Sequence, residues 1–240
     1  MIAFILAAGL GTRLHPLTDH CPKALVPYQG KPLLVHLLER MQDFGIRRFV
    51  LNLHHFADLL QAYASDYARE HGIRIDFSDE RSLLLDTGGA LTHALPLFDR
   101  EERILVHNVD IFSDLDLNAF VRDAERNGAD ALLSVRRRPA TRLLYADAGG
   151  RLRAWENLKT GAKKGESVQA DFQAFAFSGI HVLKTSLIRQ WAGRYGRNTP
   201  FSVIDAYLSD LPAADIRLQE QQGGLWKDMG KMEDFERPLP

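Results

Sequence analysis

Through its first 136 residues the sequence alternates short apolar runs with longer segments whose apolar residues recur every three or four positions. Few folds accommodate that pattern. Runs at 2–8, 49–53, 73–77, 103–109 and 131–136 read as buried strands. Segments 32–44, 58–70, 87–94 and 117–127 read as helices, bounded by Gly45, Gly72, Pro96 and Gly128. Strand and helix in alternation predict a mostly parallel sheet with helices on both faces. The pattern then changes. Runs at 143–146 and 152–155 flank Gly149-Gly150, a hairpin signal. A strand at 175–183, helices at 186–195 and 202–208, and short strands at 216–220 and 225–226 follow. The expectation is one α/β domain over residues 1–240, with a smaller, partly antiparallel second half beginning near residue 138.

Composition excludes several classes. Lys plus Arg total 30 and Asp plus Glu 31, a net charge of −1, so the basic excess of a nucleic-acid binder is absent. The single Cys21 allows no intrachain disulfide and no CxxC metal site. The apolar start MIAFILAAGL has no basic residue before it and stops at Gly11-Thr12-Arg13, unlike a signal peptide. No apolar run reaches the length of a membrane span. The expectation is a cytoplasmic protein with no membrane or nucleic-acid partner.

Gly9-Leu10-Gly11-Thr12-Arg13 directly follows the first strand. Glycines there let backbone N–H groups approach a polyphosphate, and Arg13 adds a planar cation. The Gly-Lys-Ser/Thr ending of a P-loop is missing, and Leu14 stands where a dinucleotide fingerprint needs glycine. Pro22-Lys23 supplies a second cation in a segment stiffened by Pro16, Pro22, Pro27 and Pro32. Gly88-Gly89 opens a helix and would offer N-terminal N–H groups to an acceptor. Asp110 closes the apolar run 104–109, where a hard cation is often held.

Gly9 to Leu14, Pro16-Leu17-Thr18, Pro22-Lys23-Ala24-Leu25 and Lys31-Pro32-Leu33 together resemble the signature of the sugar-1-phosphate nucleotidyltransferases. Asp86-Thr87-Gly88-Gly89, the run ending at Asp110, and Trp226-Lys227-Asp228-Met229-Gly230 extend the resemblance along nearly the whole chain. It implies a Rossmann-like, GT-A-like fold, with residues 1–138 binding the nucleotide and 139–240 binding sugar and completing a metal site. It implies nucleotide contacts at Ala7, Ala8, Gly9, Gly11, Thr12, Arg13, Gly88 and Asn108. Arg13 and Lys23 would serve catalysis, Asp110 and Asp228 would hold Mg2+, and Glu156, Ser178 and Gly179 would meet the sugar. Val109 replaces the glycine that relatives carry before the aspartate, and the lysine that relatives carry after glutamate is missing or displaced to Lys159.

The implied partners are a nucleoside triphosphate and a sugar 1-phosphate, in a monomer or dimer. The chain looks most like the short uridylyltransferases acting on N-acetylmuramic acid 1-phosphate in cell-wall recycling. Guanylyl or adenylyl transfer to mannose or heptose 1-phosphate, and cytidylyl transfer to phosphocholine, are alternatives. From other classes come a glycosyltransferase using Asp114 and Asp116, and an inactive binding module. Asp114-Leu115-Asp116 reads better as the start of a helix, His54-His55 as a loop, and Arg136-Arg137-Arg138 as a solvated or phosphate-facing edge.

Overall fold

A computed structural model describes residues 1–98 and 100–235. The chain starts with β1 (Ile2–Leu6), a small ladder of β2 (Pro27–Tyr28) and β3 (Lys31–Pro32), and α1 (Leu33–Asp43). Then come β4 (Arg48–Leu53), α2 (Ala57–His71), β5 (Arg74–Asp79), α3 (Asp86–Ala94), β6 (Arg103–Asn108), β7 (Ile111–Ser113), α4 (Leu117–Arg126) and β8 (Ala131–Arg136). The second half holds β9 (Arg142–Ala146), β10 (Leu152–Asn157), β11 (Ala162–Gly165), the long β12 (Gln173–Lys184) and α5 (Thr185–Tyr195). It ends with α6 (Val203–Asp210), β13 (Ile216–Glu220), β14 (Trp226–Asp228) and α7 (Met232–Phe235).

The central sheet runs β5-β4-β1-β6-β12-β8-β13, parallel throughout except for β12, which is antiparallel to both neighbours. This is the expected α/β architecture. Successive side chains of β1 go to opposite faces. Ala3 and Ile5 join a core with Leu34, Leu38 and Met41 of α1, Leu60 of α2 and Phe120 of α4. Ile2 and Phe4 join another with Leu91 of α3, Trp191 of α5 and Tyr207 of α6. Each of the larger aliphatic side chains and Phe contributes about 1.5–3 kcal/mol on burial, so a strand apolar on both sides is pinned in the middle layer. Asp116 caps α4, its Oδ1 accepting from Ala119 N at 2.9 Å, while Asp114 accepts from Leu225 N at 2.6 Å, so the first starts a helix and the second holds a turn.

Three features depart from the sequence reading. The boundary near residue 138 is not a spatial one, because β12 lies between β6 and β8 of the first half. Its first residues also pair with β9, so the β9-β10-β11 lobe grows from the same strand. β11 went unpredicted because all four of its residues are exposed and carry no apolar pattern. β7 was missed because it is only three residues long, and its ladder partner β14 lies more than a hundred residues away.

Candidate active site

β1 ends at Leu6, two residues earlier than its apolar run suggests. Ala7 and Ala8 leave the ladder, and their N–H groups donate to Asn52 Oδ1 at 2.7 and 3.2 Å. Asn52 projects from the end of β4 and donates through Nδ2 to Glu80 Oε1 at 2.9 Å. Leu85 N donates to the other Glu80 oxygen at 3.3 Å. Asn52 and Glu80 are almost fully buried, and burial pushes the Glu80 carboxyl above its ordinary value. A buried polar relay thus sets the height of the loop. Gly11 then turns the chain with φ +66°, and its carbonyl accepts from Thr18 Oγ1 at 3.0 Å. Thr12 and Arg13 follow in a 3-10 turn, both exposed.

The two carboxylates meet through the β7–β14 ladder. Asp110 sits between β6 and β7, Ile111 pairs with Asp228, and Met229 N donates to Asp110 O at 2.8 Å. Met229 is fully buried against Tyr28 and Leu33, which anchors the segment. Lys23, from a 3-10 turn begun by Pro22, forms an ion pair with Asp110. A Cβ on Gly230 would stand 2.7 Å from Asp228 Oδ1 and 2.8 Å from Arg13 Nη2. Glycine therefore leaves room for that carboxylate and guanidinium to approach. Asp228 Oδ1 is buried without a hydrogen-bond partner among the described residues. Burial first, then the charge of Asp110, raises the Asp228 carboxyl above its usual range, against the pull of Lys23 and Arg13.

Three cavities follow the carboxyl ends of the strands, where open α/β sheets take ligands. The first, about 410 Å³, is lined by Ala7, Ala8, Gly9, Asn108, Lys23 and Asp110. The second, about 400 Å³, is lined by Trp155, Phe177, His181, Lys164 and Asp205. His181 lies between two buried layers with Nδ1 2.7 Å from Tyr207 Oη, and burial depresses it to about 3, so it is neutral. The third, about 940 Å³, is lined by Arg13, Arg138, Lys159, Lys231, Trp226 and Asp228.

Several expected contacts lie elsewhere. Gly88 and Gly89 do not offer free N–H groups, because both donate to Phe201 O at 2.8 and 3.2 Å. A Cβ on Gly88 would stand 2.3 Å from the Phe201 ring, so this glycine serves close packing. Glu156 lines none of the three cavities. It accepts from Tyr145 Oη at 2.7 Å and pairs with Lys163 at 3.3 Å. Alternation along β10 turns Trp155 and Asn157 toward the cavities and Glu156 away. Ser178 and Gly179 also miss the cavities and form the irregular step in β12. Ser178 is buried, and Gly179, at φ +77°, lets Asn108 and Ile111 pack where a Cβ would come within 3.0 Å of each.

The sequence reading missed Asn52, Glu80, Arg142, Trp155 and Lys164. Asn52 left a signal, an amide inside the apolar run 49–53. The others lie on short or exposed segments without one. The arginine triplet divides. Arg136 holds the 223–225 turn, Arg137 stacks on Phe175, and Arg138 lies 4.0 Å from the Trp226 ring centroid at the largest cavity. His54 bonds the Glu80 carbonyl from a loop, at 2.7 Å.

A mostly parallel sheet with a glycine loop after its first strand, and an aspartate after its fourth that meets a second from the end of β14, is the frame of a nucleotide-handling transferase. The chain belongs to the nucleotidyl transferase family, whose model matches residues 2–238. N-acetylmuramate alpha-1-phosphate uridylyltransferase of Caulobacter vibrioides is 33% identical over 237 residues, covering 95% of this chain and 91% of its own. Mannose-1-phosphate guanylyltransferase catalytic subunit beta of Dictyostelium discoideum is 28% identical, over 98% of this chain and 62% of its own. The crystal structure of HddC from Yersinia pseudotuberculosis complexed with GMP-PN superposes with a TM-score of 0.73 at 25% identity, covering 98% of this chain and 96% of that one. No helix among the described residues is long and apolar enough to cross a membrane.

Proposed function

We propose that the protein transfers a nucleotidyl group from a nucleoside triphosphate to a sugar 1-phosphate, releasing pyrophosphate, with UTP and N-acetylmuramic acid 1-phosphate as its pair. The observation that carries the reaction class is the meeting of Asp110, Asp228, Lys23 and Arg13 beside the glycine loop. The relative from Caulobacter supports the substrate pair. Cytoplasmic nucleotide supplies one substrate, so the reading also places the enzyme there.

An oxygen of the sugar phosphate attacks the α-phosphorus of the triphosphate. The bond from that phosphorus to the β-phosphate bridging oxygen breaks, and pyrophosphate leaves with the electron pair. The nucleophile is already ionised, so the site needs charge neutralisation and alignment rather than a strong base. The nucleoside fits the first cavity, walled by Ala7, Gly9 and Asn108. Arg13 reaches the leaving pyrophosphate, and Lys23 offsets charge on the phosphoryl group under attack. Asp110 and the unpartnered Asp228 Oδ1 fit a magnesium ion, which binds through one or two carboxylates plus substrate phosphates. When bound, that ion would supply charge neutralisation at the α-phosphate.

The test is pyrophosphate release with magnesium, crossing the common triphosphates against a panel of sugar 1-phosphates and phosphocholine. Release only with UTP and N-acetylmuramic acid 1-phosphate is the expected result. Preference for GTP with mannose 1-phosphate would favour a second reading, supported by the Dictyostelium relative and the GMP-PN complex. Asp110→Asn and Lys23→Ala should each slow turnover by about 100-fold or more, with folding retained. Near-normal rates would remove those roles.

A further inference from the structure

The second and third cavities share three residues, Arg142, Asn157 and Phe177, of which Arg142 is the charged one. Arg142 opens β9 directly opposite Asn157 of β10. Opposed residues of an antiparallel pair present side chains on one face, and Trp155 shares that face two residues earlier. The guanidinium therefore stands on the threshold between an aromatic cavity, holding Trp155 and Phe177, and a cationic one that reaches Asp228 and Arg13.

Several neighbouring cations are committed. Lys23 pairs with Asp110, Lys164 with Asp205 at 2.7 Å, and Lys231 with Glu233 at 3.1 Å. Arg138 covers Trp226 and donates to Phe177 O at 3.1 Å. The Arg142 side chain makes no hydrogen bond or ion pair among the described residues. Lys159 lines only the larger cavity. A sugar resting on the two aromatic rings meets Arg142 where this cavity joins the one that Asp228 lines.

We propose that Arg142 binds the phosphate of the acceptor and sets which of its oxygens faces the α-phosphorus. This inference rests on reading the chain as a sugar-1-phosphate nucleotidyltransferase. A guanidinium donates two parallel N–H bonds to two oxygens of a phosphate monoester. The third non-bridging oxygen stays free to attack. A lysine at this position keeps the charge but not the planar fork, so it holds the acceptor without fixing that oxygen.

The experiment compares wild type, Arg142→Ala and Arg142→Lys in initial rates, and measures ligand binding by calorimetry. In Arg142→Ala, KM for the acceptor should rise about 30-fold, the size expected for a lost charged hydrogen-bonding partner. KM for the triphosphate should stay within about twofold. Arg142→Lys should restore most of the acceptor KM but not kcat. Calorimetry should show weakened binding of N-acetylglucosamine 1-phosphate and unchanged binding of unphosphorylated N-acetylmuramic acid, whose only anion is its carboxylate. The reverse ranking overturns the proposal, because Arg142 would then read the carboxylate. An equal rise in both KM values, or no change in an active enzyme, also overturns it. A wild type that neither turns over nor binds any sugar 1-phosphate defeats the wider reading and this one together.

Discussion

Two glycine-rich segments flank the first cavity, and they use glycine for different reasons. In the segment 9–13, Gly11 adopts φ +66°, a left-handed conformation that side chains rarely take, while Gly9 faces open space at the cavity wall. In the segment 86–90, Gly88 and Gly89 lie in the ordinary helix α3. They are small because Phe201 and Thr199 press against them, at 2.3 and 2.4 Å from where a Cβ would be. The first segment turns toward the site and follows Ala7 and Ala8, whose N–H groups donate to the Asn52 side chain. The second is sealed by a main-chain carbonyl from the 199–203 stretch. The same two letters in a sequence can mean a backbone shape or a missing side chain.

That contrast can be broken in order of expected effect. Gly88→Ala should lower the unfolding free energy by about 3 kcal/mol, because its methyl meets an aromatic ring and the Phe201 carbonyl. Denaturant unfolding measures it, and Phe201→Leu in the same chain should recover part of the loss. An unchanged midpoint would mean that α3 does not dock as described. Asn52→Ala should cost about 2 kcal/mol, since it strands the Ala7 N–H and one Glu80 oxygen. It should also weaken triphosphate binding, which a stability effect confined to the core would leave alone.

Gly11→Ala should cost about 1.5 kcal/mol from the left-handed backbone alone, with added crowding at Thr18. Its signature is a slower turnover on top of the stability loss, whereas Gly88→Ala should retain most of its rate per folded molecule. Gly9→Ala is the smallest change in stability, within about 0.5 kcal/mol, because nothing lies within 4 Å of the new methyl. It should still raise the triphosphate KM several-fold. An unaffected KM would show that the nucleotide does not pass that wall.

Much of the site was legible because charged residues in stiff, proline-bounded or strand-terminal settings have few other uses. Arg13, Lys23 and Asp110 were singled out this way and Asp228 by the family resemblance, and the structure brings the four side chains to one place. Glu156 was expected at the sugar but lines none of the three cavities, because strand period decides which way a side chain faces, and β10 carries Trp155 and Asn157 on the cavity side. Arg142 left no local trace, since a lone arginine opening a short strand looks like solvent-facing charge.

By itself, the sequence determined the layers. An apolar strand such as β1 with the helical periodicity of α1 and α2 beside it can bury both faces only inside an α/β sandwich, and hydrophobic burial is a local, additive preference. Only the tertiary structure decided that β12 enters the middle of the sheet and that β14 brings Asp228 beside Asp110. It alone decided that Phe201 takes the N–H groups of Gly88 and Gly89. Those outcomes depend on pairings as distant as Ile111 with Asp228, 117 positions apart, whose free energy appears only once both partners are in place.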